Sequence, residues 1–127
     1  MTKPTNVLEE LAVTGVTVTK PSYSAAEDRD FGPAKIEHRT AGTALSKLGT
    51  YFMVFQEDFY SDPWQLQYEE SIFVIKGQLR IREGDKVTVG DPGDLVVLPK
   101  GVIVEYGGDI GTEVVLSITP VNWRDEI

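Results

Sequence analysis

The side chains in this sequence that can do chemistry are carboxylates and phenols. Glu57, Asp58, Glu69, Glu70 and Glu105 are the candidate carboxylates, interleaved with Tyr51, Phe55, Trp64, Tyr68, Tyr106 and Trp123. A carboxyl group taken out of water has its pKa raised toward neutrality, where it can give and take a proton. Two carboxylates turned into one space would instead offer oxygen ligands to a hard cation. Indole and phenol groups supply apolar area with a polar tip, which suits the walls of a small-molecule pocket. Strand alternation from Tyr51 puts Met53, Phe55 and Glu57 on one face, so Glu57 is a candidate second carboxylate. The plainer reading of each residue stands beside these: most glutamates are solvated, and most aromatics pack in a core.

Other chemistries are excluded by composition. The 127 residues contain no cysteine and one histidine, His38, so thiolate and multi-histidine metal sites are absent. His38 reads as a surface or structurally satisfied histidine. Twelve basic against twenty acidic residues give a net charge of −8, which argues against nucleic acid or an anionic membrane as partner. The glycines form no phosphate cradle, and phosphoryl transfer also needs cationic clamps. No apolar run is long enough to span a bilayer, and Met1-Thr2-Lys3-Pro4 does not open a secretion signal. A cytoplasmic protein is expected.

The elements that must hold these residues read as short strands. The length fits one domain. Asn6 and Glu9 make a capping-box pattern, which predicts a short helix over 5–12, followed by a strand over 13–19. Residues 21–34 are polar and turn-rich and read as an arm over the surface. Residues 1–34 are thus an N-terminal helix, strand and arm, and 35–127 a barrel. Strand patterns fall at 35–40, 50–57, 63–68, 70–76, 78–82, 86–89, 94–98, 102–106 and 113–119, with turn residues between them. So many short strands predict an all-β sandwich or barrel.

Two spaced motifs sharpen the expectation. Glu70 and Gly77 stand with six residues between them, and Gly93, Pro99 and Gly101 complete a G-x5-P-x-G pattern. Together they resemble the paired signature of a cupin. The segments Pro63-Trp64-Gln65-Leu66, Tyr68-Glu69-Glu70, Pro99-Lys100-Gly101, Val104-Glu105-Tyr106 and Pro120-Val121-Asn122-Trp123 resemble the cupin domain of the ethanolamine-utilisation EutQ family. The resemblance runs from Tyr51 to Trp123. It implies a jelly-roll barrel, usually dimeric, linked to microcompartment metabolism and to acetate kinase activity. It also places Trp64, Leu66 and Val104 where metal-binding cupins carry histidines, and it turns Glu70 into the barrel. No cofactor and no metal ligand are therefore expected.

Glu70 among Trp64, Leu66 and Val104 is then either a proton-transfer group or a structural carboxyl hydrogen-bonded to Tyr68 or another hydroxyl. The expected catalytic residues are Glu70, Glu57 and Tyr68. Tyr51, Trp64, Leu66, Val104 and Tyr106 are the expected ligand-binding walls. The expected function is a metal-independent small-molecule enzyme working by acid–base chemistry. The alternatives are a non-catalytic dimeric ligand-binding or assembly module, and an EutQ-like acetate kinase.

Overall fold

The computed structural model describes residues 17–126. The helix expected over 5–12 and most of the strand expected over 13–19 lie outside these residues, and Thr17, Val18 and Thr19 have no regular structure.

Ten strands build the fold: β1 (Arg29–Phe31), β2 (Ala34–His38), β3 (Gly49–Phe55), β4 (Trp64–Gln65), β5 (Glu69–Lys76), β6 (Leu79–Glu83), β7 (Lys86–Gly90), β8 (Leu95–Leu98), β9 (Ile103–Gly108) and β10 (Glu113–Thr119). They form a six-stranded sheet, β1-β2-β3-β10-β5-β8, and a four-stranded sheet, β4-β9-β6-β7. Every pairing is antiparallel. This is the cupin jelly roll, and β10 lies at the centre of its large sheet, hydrogen-bonded to both β3 and β5. Among the described residues no helix is long and apolar enough to cross a membrane.

The alternation read from the sequence decides what is buried. Met53 and Phe55 of β3, Ile72 and Val74 of β5, and Val114, Leu116 and Ile118 of β10 point inward from the large sheet. Leu79, Ile81, Val104 and Tyr106 meet them from the small sheet. Each such aliphatic side chain stabilises the fold by about 1.5–3 kcal/mol relative to leaving it in water.

Glycine fixes one reversal with particular force. Gly77, between β5 and β6, has φ +83°, and a Cβ there would stand 2.7 Å from the Cα of Thr112. Only glycine satisfies both the left-handed backbone and the close approach.

Two sequence expectations are corrected. The arm over 21–34 contains β1, which pairs with β2 through Phe31 and Ala34 and so extends the large sheet. Arg29-Asp30-Phe31 is too short and polar to announce a strand by alternation. The strand expected over 63–68 is only Trp64–Gln65: the Leu66 N–H still donates to Val102 in register, but its carbonyl accepts from Gly101, which breaks the ladder.

Candidate functional site

Glu70 is the second residue of β5, flanked by Ile118 on β10 and Leu98 on β8. Its neighbour Glu69 is exposed, so the pleat turns Glu70 inward, where its exposure falls to 6%. The Tyr106 hydroxyl donates a 2.6 Å hydrogen bond to Oε1 of Glu70. Among the described residues Oε2 has no hydrogen-bond partner. It is the oxygen left for a ligand.

A cavity of about 310 Å³ adjoins this carboxyl group. Ile36, Met53, Leu116 and Ile118 give it apolar walls, and Tyr51, Trp64, Tyr68 and Trp123 give it aromatic ones. Phe31 closes on Tyr106 edge to face at 5.3 Å. Trp64 and Trp123 meet the same way at 5.7 Å. The Trp64 Nε1–H donates to the Tyr68 hydroxyl at 3.1 Å.

Tyr106 is held by its backbone. Its N–H donates to Ser61 Oγ at 2.9 Å, and the Ser61 N–H donates to the Tyr106 carbonyl at 2.8 Å. Ser61 is itself buried. The clasp fixes the strand from which the Tyr106 ring projects.

Burial dominates the electrostatics. It lifts the Glu70 carboxyl from 4.5 to about 7, against the opposing pull of the Tyr106 hydrogen bond, which favours the charged form. Burial, and next the charge of Glu70, push Tyr106 and Tyr68 far above the ordinary phenol range, so both hydroxyls stay protonated. His38 stacks on Tyr51 at 4.4 Å, and burial, then Arg29, lower its pKa and keep it neutral. A carboxyl group near 7 exists in both forms at neutral pH, as general acid–base work requires.

The structure gathers some of the expected residues and separates others. Glu70, Tyr68, Tyr51, Trp64 and Tyr106 all border the cavity. The tyrosine that donates to Glu70 is Tyr106, not Tyr68, whose hydroxyl accepts from the Trp64 indole. Leu66 and Val104 are buried in the core and do not reach the cavity wall. Glu57 stands outside altogether. β3 ends at Phe55, the N–H groups of Gln56 and Glu57 both turn to the Pro33 carbonyl, and the Glu57 side chain is exposed. Alternation cannot be carried past the last strand residue.

Seven lining residues escaped the sequence reading: the apolar Ile36, Leu116 and Ile118, and Arg29, Asp30, Phe31 and Arg124. Arg29 and Phe31 belong to the strand that was read as an arm. Arg124 directly follows Trp123, which the sequence did mark, and its guanidinium lies over that indole at 4.3 Å. The described residues bring no three His, Asp or Glu side chains together.

The family described as "Ethanolamine utilisation protein EutQ" matches residues 11–125. The chain is 29% identical over 112 residues to "Acetate kinase EutQ" of Escherichia coli (strain K12), covering 88% of this chain and 46% of that protein. It thus spans less than half of that relative. The fold is similar to that of the Clostridium difficile EutQ protein, with a TM-score of 0.68, 22% identity, and 88% and 93% of the two chains covered. It is also similar to an RmlC-like cupin from Shewanella frigidimarina, with a TM-score of 0.63, 16% identity, and 80% and 88% covered. The match across nearly the whole sequence, on a jelly roll shared with these structures, makes this chain a member of the EutQ family of cupins.

Proposed function

We propose that this protein is a metal-independent small-molecule enzyme that works by acid–base chemistry at Glu70. The observation that carries the reading is a buried carboxyl group poised near neutrality, with one oxygen held by Tyr106 and the other unpartnered beside a cavity. Protonated, Glu70 gives its proton to a leaving oxygen. Ionised, it takes a proton from a carbon or from water, and in this form the Tyr106 hydroxyl stabilises the carboxylate it donates to. Isomerisation, dehydration and hydrolysis all fit these two half-steps.

Proton exchange in D₂O tests this before any substrate has been identified. Small ketones and hydroxy acids that alter tryptophan emission are incubated with the protein, and loss of carbon-bound proton signal is followed by NMR. Exchange by the wild type that disappears in Glu70→Gln supports the reading. A set of bound compounds of which none exchanges or reacts would instead make the chain a binding module.

The outer face of the large sheet supports a second role, in assembly. Phe73, Ile75, Leu95 and Val97 stand exposed together on β5 and the edge strand β8, with Phe73 directly opposite Leu95. A contiguous apolar face of this kind marks a protein contact. It fits a homodimer in which two copies cover each other's face. The acetate kinase named for the E. coli relative is a third reading, and formation of acetyl phosphate from acetate and ATP tests it directly.

A further inference from the structure

The five arginines of this chain divide into two groups. Arg39, Arg80 and Arg82 are paired with carboxylates: Arg39 with Glu37, Arg80 with Asp109, and Arg82 with Glu105. Arg29 and Arg124 make no ion pair among the described residues, and these two border the cavity. In a chain of net charge −8, unpaired guanidinium groups gathered at one opening are out of keeping with the rest of the surface.

Local structure turns both toward the opening. Arg29 and Phe31 share one face of β1, and the Phe31 ring lies against Tyr106 inside the cavity. The same alternation sends Asp30, also at the rim, to the other face. Arg29 pairs across the sheet with Ile36, itself a cavity wall. The Arg124 guanidinium lies over the Trp123 ring, 4.3 Å from its centre, and a guanidinium stacked on an aromatic face keeps its N–H edge for hydrogen bonds. Both positive charges reach inward far enough to act on Tyr51, and Arg124 acts on Tyr68 as well.

We propose that the cavity takes a small organic anion, with a carboxylate or phosphate held at the mouth by Arg29 and Arg124 and a body that extends between the aromatic walls to Glu70. This names the substrate class of the acid–base site and rests on that reading of the cavity. A planar guanidinium matches either anionic group with two parallel hydrogen bonds, whereas it offers nothing comparable to a neutral molecule of the same shape. The volume, about 310 Å³, suits a compound of sugar-acid size.

The two tryptophans of the chain, Trp64 and Trp123, both line the cavity, so intrinsic fluorescence reports on it directly. Four probes in matched pairs are titrated: benzoate against benzamide, and gluconate against sorbitol. In each pair that binds, the acid is expected to bind about tenfold more tightly than its neutral partner, the effect of one charge-assisted contact. The preference disappears in R29Q/R124Q, persists in K86Q/K100Q, which removes the same two charges away from the cavity, and shrinks in wild-type protein at high salt. Melting curves confirm that each variant is folded. Equal binding of acid and neutral probe, or a preference that survives R29Q/R124Q or high salt, overturns the anion inference and leaves the cavity reading standing. No change of emission with any probe overturns the cavity reading itself, and this inference with it.

Discussion

The Tyr106 hydroxyl and Oε1 of Glu70 stand 2.6 Å apart, joined by a hydrogen bond between two strands of opposite sheets. The contact has two opposed effects. It ties the small sheet to the large one, and it favours the ionised form of a carboxyl group whose burial favours the neutral form. Burial is the larger effect and the group settles near 7, which sets the first two expectations.

Glu70 makes stability depend on pH in a defined window. Its folded pKa, about 7, lies above the 4.5 of an exposed glutamate, so the folded state holds the extra proton between those values. This contribution is fully present below pH 4.5 and is lost as pH rises through 7. Its full size is on the order of 3 kcal/mol. Urea unfolding at pH 5 and pH 8 should show Glu70→Gln gaining stability relative to wild type by that order across the interval. Parallel pH dependence in the two proteins would give Glu70 an ordinary pKa and remove its claim to acid–base work.

Tyr106→Phe keeps the ring against Phe31 and removes the donor. The Glu70 pKa is expected to rise above 7, because the bond that favours the charge is gone while burial remains. The side-chain carboxyl carbon of Glu70, followed by NMR through a pH titration, measures the shift. Stability should fall by about 1 kcal/mol at neutral pH. A pKa that falls on this change would mean that the hydroxyl acts on the neutral form.

Two glycines with the same sign of φ separate strain from crowding. Gly84 has φ +58° and open space around its would-be Cβ, so Gly84→Ala should cost about 1 kcal/mol for the left-handed backbone alone. Gly77→Ala meets the Thr112 backbone as well and should cost several times as much. Thermal melts of the two variants decide it, and equal losses would show that the loop at Thr112 yields.

The apolar outer face predicts the state of association. Val97→Lys puts a charge beside Leu95 and diagonal to Phe73 on that face, so a homodimer built on it should become a monomer. Light scattering after size exclusion gives the mass, and tryptophan emission should stay unchanged because Val97 is on the outer face and does not line the cavity. A wild-type monomer would remove the assembly role.

Much of the fold was legible because strands announce themselves by alternation and glycine. β2, β3 and β5 to β10 fall where the pattern places them, and Gly77 and Gly101 both take the positive φ that their turn positions imply. Glu70 was legible too, through its spacing from Gly77 and the family likeness. What stayed hidden depends on contacts distant in sequence. Only three-dimensional packing shows that Tyr106, rather than the nearby Tyr68, reaches Glu70. β1 is stabilised by pairing with β2 rather than by a pattern of its own, so Arg29 and Phe31 looked like loop residues. Glu57 was misplaced for the opposite reason: the alternation was real but ended two residues too early.

The mouth of the cavity comes from β1 and the turn after β10, while its floor comes from the central strands. Division of labour follows from this arrangement. Arg29 and Arg124 are exposed and stand outside the buried layers that fold the barrel, whereas Glu70 and Tyr106 are buried within them. On the proposed acid–base reading, a change of substrate would fall to these two short peripheral segments, while Glu70 and Tyr106 would keep the proton.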